Sequence, residues 1–143
     1  MAADDAHSAA SLKNPKLHHV ALVVADLDAA MTRFHALGFS GGERFTLADQ
    51  AVEVATFHSG AGWIELIRPI DPDGPIARFL AKRGEGLHHV AYAVPDVDVA
   101  LVELASTGVR LIDATPRVGA HGWRIAFIHP ESCAGVLTEL VEA

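Results

Sequence analysis

From residue 17 to 24 the chain reads LHHVALVV, an alternating stretch rich in Val and Leu that predicts a β-strand. Asp26 then offers an N-cap for a helix running to Leu37, and Gly38 can close that helix in the left-handed conformation. A glycine-rich turn, Ser40-Gly41-Gly42, is followed by strand-like stretches at 51–58 (AVEVATFH) and 63–69 (WIELIRP). The same signals then return. LHHVALVVADLDAAMTRFHALG at 17–38 reappears as LHHVAYAVPDVDVALVELASTG at 87–108, identical at ten of 22 positions with no gap. In the second copy Asp96 is the cap and Gly108 the stop, and strands are expected at 109–113 (VRLID), 123–129 (WRIAFIH) and 135–142 (GVLTELVE). The second copy so reads β-α-β-β-β, and each half is expected to follow that order, an α+β organisation made of two copies of one unit. The joining stretch, 71–86, carries Pro75 where a short helix would begin, with Ile76, Phe79 and Leu80 on one side.

With half of its 143 residues hydrophobic, the chain has material for one compact core, whereas two independent cores would be small and marginal. The expected layout is a disordered tail at 1–15 and a single domain at 16–143, divided into module one at 16–70, a linker helix at 71–86 and module two at 87–143. Eleven basic residues against 18 acidic ones argue against nucleic acid and against an anionic membrane surface as partners. No apolar run approaches the roughly 18 to 20 residues needed to cross a bilayer. Cys133 is the only cysteine, so no internal disulfide can form, and the first fifteen residues lack the apolar run of a secretion signal. A cytoplasmic protein acting on a small ligand is expected.

Alternation along a strand decides which side chains can cooperate. His19 shares a face with Leu17, Ala21 and Val23, and His89 shares one with Leu87, Ala91 and Ala93, so small residues leave room beside each histidine. Glu65 interrupts an apolar face between Trp63 and Ile67, and Glu139 does so between Leu137 and Val141. A buried carboxylate costs free energy unless it is paired or metal-bound. A lone strand histidine is more often a hydrogen-bonded core residue, and a strand glutamate is more often a solvated charge. Here, however, the four interruptions fall at corresponding positions of a duplicated unit. Two imidazoles and two carboxylates suit a divalent cation, with Zn, Ni, Co, Fe, Mn and Mg all within the range of such donors. Glu53 also interrupts an apolar strand and is a candidate general base, the alternative being the exposed side of an edge strand. His7, His35, His58 and His129 have no placement that marks them out.

The paired LHHVA, IELIRP, GEGLHHVAYAV, GVRLIDATPRVGAHG at 108–122 and FIHPESCAGVLTELVE at 127–142 resemble the methylmalonyl-CoA epimerases of the vicinal oxygen chelate superfamily. The resemblance spans about residues 17–142. It implies paired βαβββ modules forming an open, cup-like mixed sheet around one metal, a homodimer, and an acyl-CoA substrate of propionate metabolism. Carried over by position, the metal ligands would be His19, Glu65, His89 and Glu139, holding one divalent ion per chain with cobalt favoured. The catalytic glutamate would be Glu53. One departure is visible: Gly74 stands before Pro75 where the family often has serine, which leaves the acyl preference open.

The chemistry so implied is removal of a weakly acidic α-proton and its return on the opposite face, interconverting (2R)- and (2S)-methylmalonyl-CoA through a metal-stabilised enolate. One base per face is required, with Glu53 expected on one side and Glu139 on the other. His121 and Gly119, in the Gly-flanked GAHG loop, are candidates for touching substrate. Arg117, with Arg124, Lys82 and Arg83, is a candidate for meeting its anionic groups. A glyoxalase I-type lyase, an extradiol-type dioxygenase and a non-enzymatic binding protein share the implied fold. Ligands split evenly between the halves count against the dioxygenase, and retention of all four counts against the binding protein.

Overall fold

The computed structural model describes residues 12–143. The first eleven positions of the expected tail lie outside them, and Leu12 packs against the cluster formed by Val94, Val97 and Leu140. The chain divides into two compact units, residues 19–88 and residues 12–18 with 89–143, so that it passes from one to the other within its two LHHVA strands.

In the first unit, β1 (Lys16–Val23) leads into α1 (Leu27–Ala36), β2 (Glu43–Leu47), β3 (Val52–Ser59), β4 (Gly62–Pro69) and α2 (Pro75–Arg83). The strands lie in the order β2-β3-β4-β1. The first two pairings are antiparallel, and β4 runs parallel to β1. The Asp26 side chain accepts a hydrogen bond from the Ala29 amide at 3.0 Å, which satisfies an N–H that the first helical turn leaves open. Gly38 has φ +104 and ends the helix as its sequence position predicts. Leu27 and Ala30 then bury the inner face of α1 against Ala55, Phe57 and Leu66. Gly42 has a steric reason of its own: a Cβ there would come 2.8 Å from Met31 and 2.9 Å from Phe57. The helix α2 begins at Pro75 as expected, its N-cap Gly74 making no side-chain bond. It lays Phe79 edge-on to His88, with ring centroids 5.1 Å apart.

The second unit repeats the plan with β5 (Gly86–Val94), α3 (Val97–Ser106), β6 (Arg117–Val118), β7 (Arg124–Ile128) and β8 (Thr138–Glu142). Its strands lie in the order β5-β8-β7-β6. Again the pairing next to the LHHVA strand is parallel and the others antiparallel. Asp96 caps α3 through the Val99 amide at 3.0 Å, and Val97, Ala100 and Leu101 pack on Ala126, Ile128 and Leu140. The βαβββ order holds in both halves, although one strand in each departs from expectation. β2 falls in the polar stretch ERFTL, which shows no strand-like alternation strong enough to mark it. VRLID at 109–113 forms only a single bridge, Leu111 to Ile128, and the two-residue β6 takes its place in the sheet. The Phe127 carbonyl accepts from both the Ile112 and Asp113 amides, which turns the chain away instead of extending a ladder. Among the described residues no helix is long and apolar enough to cross a membrane.

Replacing Asp96 with Ala removes the side-chain acceptor at the start of α3 and is expected to lower the unfolding free energy by about 1 kcal/mol, read from urea denaturation. An unchanged midpoint would mean that solvent caps this helix equally well.

Candidate metal and acid-base site

Each unit presents one His–Glu pair on the sheet face turned away from its helix. In the first, β4 pairs with β1 so that Glu65 lies beside Ala21 and Trp63 beside His19, while across β3 the neighbour of Glu65 is Thr56. His19 Nε2 and a Glu65 carboxylate oxygen are 3.7 Å apart, and both residues are buried. In the second unit Glu139 lies beside Ala91 on one side and Phe127 on the other. His89 Nε2 stands 3.1 Å from the Glu139 carboxylate, at 1% and 2% residue exposure respectively. The two alanines are fully buried and have only a methyl group to place on this face, which opens space next to each carboxylate. All four expected ligands therefore lie on the non-helical faces of their units.

The donors themselves test the fit of a divalent cation. Neutral imidazole nitrogens and carboxylate oxygens are ligands for borderline and hard metals, and no soft thiolate competes, since Cys133 lies beyond the 3-10 turn Pro130–Ser132 and packs with the α3 core. Carboxylates this deeply buried need a cationic partner or strong donors. In each unit the His–Glu donors fit an ion of that kind.

Glu53, expected as the catalytic base, lies by register on the other face of the sheet from Glu65. Glu53 pairs with Arg68 across β3 and β4, whereas Thr56 pairs with Glu65. By alternation Glu53 shares the face of Ala55 and Phe57, which is packed against α1. There it accepts a hydrogen bond from Arg44 at 3.1 Å and lies 3.9 Å from Arg68. Arg44 also donates to Asp28 on α1. The Asp28 hydrogen bond foremost, with Glu53 adding to it against the opposing effect of burial, holds the Arg44 guanidinium above its ordinary pKa. Glu53 is thus a partner in an ion-pair network joining β2, β3, β4 and α1.

The loop candidates separate in the same way. Arg124 is committed to Asp98 and Glu142 at 2.7 and 3.0 Å, and the Asp98 hydrogen bond is the main reason its pKa lies above the ordinary value. Arg83 lies over the Phe79 ring. Both contacts tie these side chains to helices, Arg124 to α3 through Asp98 and Arg83 to Phe79 of its own helix. Gly119 is explained by the Ile125 side chain, which a Cβ would meet at 3.0 Å. His121 holds a left-handed φ of 57 and lays its ring 4.6 Å from that of Trp123, which also meets His18 edge-on at 4.5 Å. Arg117 alone of the arginines considered shares the Glu139 face, because it pairs with Ile125, which pairs with Val141, two residues along from Glu139. Phe127 and Asp113, which sequence reading did not single out, complete this surrounding. Phe127 stands edge-on to His89 at 5.2 Å, and Asp113 binds Arg117.

A family model described as the Glyoxalase/Bleomycin resistance protein/Dioxygenase superfamily matches residues 4–127. A Bos taurus protein named methylmalonyl-CoA epimerase, mitochondrial, is 38% identical over 130 residues, covering 90% of this chain and 74% of the relative. An ethylmalonyl-CoA/methylmalonyl-CoA epimerase of Cereibacter sphaeroides is 37% identical over 128 residues, covering 87% of this chain and 96% of its own. A solved structure of methylmalonyl-CoA epimerase in complex with methylmalonyl-CoA and NH4+ superimposes with a TM-score of 0.85 at 36% identity, covering 89% of this chain and 93% of that one.

The placement of Glu53 makes a direct expectation. Glu53→Gln should leave the metal bound per chain unchanged by elemental analysis and shift the urea midpoint only slightly, as exposed ion pairs contribute little. Loss of bound metal in this variant would return Glu53 to the site.

Proposed function

Because the chain belongs to the methylmalonyl-CoA epimerases of the Glyoxalase/Bleomycin resistance protein/Dioxygenase superfamily, we propose that it interconverts (2R)- and (2S)-methylmalonyl-CoA by removing the α-proton and returning one on the opposite face. The observation that carries this reading is the pair of buried His–Glu couples, one in each half, in a chain that aligns along nearly its whole length with proteins of that name. His19, Glu65, His89 and Glu139 would together hold one divalent cation, with cobalt the ion we favour. When bound, it would supply Lewis-acid stabilisation of the negative charge that develops on the thioester oxygen as the proton leaves.

The protein's own groups must then move the proton. With Glu53 on the helix-packed face and Asp113 occupied by Arg117 and the Phe127 amide, Glu65 and Glu139 are the strand carboxylates among the described residues to which we assign the two proton transfers. Glu139 is the better placed for the difficult step. Its cross-strand neighbour is the apolar Phe127 ring, and 2% exposure keeps bulk water away from a carboxylate that must exchange its proton with carbon. Glu65 has the hydroxyl of Thr56 as its cross-strand neighbour, a setting better suited to steadying a carboxylate than to freeing it. His121 and Gly119, in the loop before β7, would approach the acyl or pantetheine part of the substrate.

The reading extends to a homodimer in a reducing, cytoplasmic setting, to which the single unpaired cysteine is suited. With Glu53 on the helix-packed face, a glyoxalase I-type lyase comes nearer to this reading, since the same four ligands with a ligand carboxylate as base serve both chemistries. The relatives' names now carry that distinction. The Cereibacter sphaeroides relative, named for both ethylmalonyl and methylmalonyl groups, makes a longer acyl chain the natural second substrate to try.

Metal-loaded protein incubated with methylmalonyl-CoA in deuterated water should exchange the α-proton, followed by NMR or mass spectrometry. His89→Ala should lose both bound metal and exchange. Glu139→Gln should fall by at least about 100-fold, the scale of losing a positioned base, and Glu53→Gln should retain most of the rate. Absence of exchange by the wild type, or isomerisation of a glutathione hemithioacetal in its place, would reject the epimerase reading.

A further inference from the structure

Asp113 and Arg117 make a fixed structure beside the His89–Glu139 pair, and both lie in the same compact unit as that pair. The Asp113 carboxylate accepts from Arg117 Nε at 3.1 Å and from Nη2 at 2.6 Å, which is the two-point geometry that sets a guanidinium plane. The same carboxylate accepts from the Phe127 backbone amide at 2.8 Å, so the arginine is tied to β7 itself. Arg117 then lies over the Phe127 ring, its central carbon 5.4 Å from the centroid. That ring is the cross-strand neighbour of Glu139 and meets His89 edge-on.

What remains of Arg117 is the useful part. A guanidinium carries five N–H groups, and Asp113 takes two of them. The other three meet no protein acceptor among the described residues, and the side chain stays 38% exposed while Asp113 is 13% exposed. A cation held rigid on one edge and open on the other is a receptor for an anionic oxygen group. Its place over Phe127 puts it at the reacting end of a substrate, whereas the phosphates of coenzyme A are separated from the α-carbon by the length of the pantetheine arm.

We propose that Arg117 receives the free carboxylate of the acyl group, and that Asp113 is the positioning residue that orients it. This deepens the epimerase reading and rests on it for the identity of the substrate. Asp113 explains how an arginine can serve here without drifting, because its clamp fixes the plane before substrate arrives and leaves less freedom to be lost on binding. It also offsets the positive charge of Arg117 close to a site that must attract a cation.

The test compares two ligands that differ by one carboxylate. Binding of malonyl-CoA and propionyl-CoA to metal-loaded wild type, Arg117→Gln and Asp113→Asn is measured by isothermal titration, with metal content and thermal unfolding matched beforehand. Arg117→Gln should weaken malonyl-CoA by about 10-fold to 100-fold, the scale of a lost charged hydrogen bond, and leave propionyl-CoA within about 3-fold. Asp113→Asn keeps an acceptor for the Phe127 amide. It should raise KM for methylmalonyl-CoA several-fold with a smaller change in kcat, and Asp113→Glu should restore part of the loss. Equal weakening of both ligands, with methylmalonyl-pantetheine turnover untouched by Arg117→Gln, would place a coenzyme A phosphate at Arg117 and overturn the assignment. Unchanged affinities for both ligands would reduce Arg117 to a structural residue and overturn it equally. A wild type that prefers malonyl-CoA to propionyl-CoA through Arg117, yet exchanges no α-proton, would sink the epimerase reading while leaving the receptor standing.

Discussion

The burial of a carboxylate beside a histidine on an otherwise apolar sheet face is the constraint on which the rest of this structure turns. Removing an ionised carboxylate from water costs several kcal/mol even after the protein relaxes around it. Glu139 is only 2% exposed and has His89 Nε2 3.1 Å away. Such a group can be held only by a framework stabilised elsewhere. In each unit the opposite face of the sheet supplies that stability, through Phe57 and Leu66 against α1 and through Ala126, Ile128 and Leu140 against α3. Capped helices on one face and costly polar groups on the other are two sides of one arrangement.

Duplication gives two such pairs, and the strand registers make them alike only in part. Glu65 and Glu139 occupy the same place in their sheets, each beside a buried alanine of an LHHVA strand. Their other neighbours differ in kind. Thr56 sets a hydroxyl next to Glu65, while Phe127 sets an aromatic ring next to Glu139 and reaches His89 as well. Two carboxylates of one chemical type are thereby given different surroundings by a single cross-strand substitution. The proposed assignment of the two proton transfers therefore gives each to a carboxylate in its own surroundings.

Much of this was legible in the chain. The strand, cap, helix and glycine stop are local signals, and they recur so closely at 17–38 and 87–108 that both copies could be placed to within a residue or two. The faces of His19, His89, Glu65 and Glu139 follow from alternation within single strands. β2 was not legible because ERFTL owes its strand conformation to pairing with β3 and not to its own pattern. VRLID looked like a strand because its apolar residues suit one, yet a shared carbonyl acceptor at Phe127 bends it away. Asp113 could have been noticed as an acid four residues before Arg117, a spacing with no defined meaning outside a helix.

Glu53 shows where alternation stops being enough. Parity within β3 separates Glu53 from Val52 and Val54, but says nothing about whether its face is the one that Glu65 occupies on β4. Only the cross-strand register decides that, and the two-residue turn between Ser59 and Gly62 fixes it so that Thr56, not an acid, meets Glu65. On its actual face Glu53 has a different physical task. β2 is an edge strand with one partner, and edges that are left plain invite pairing with other chains. Arg44 on β2, drawn to Glu53 on β3 and Asp28 on α1, ties that edge inward with charges that a second chain could not easily replace. The carboxylate that seemed to break the symmetry of the two halves is therefore spent on the edge of the first. Under the proposed assignment of the proton transfers to Glu65 and Glu139, the asymmetry lies instead in what surrounds those two carboxylates, with Thr56 beside one and the Phe127–Arg117–Asp113 group beside the other.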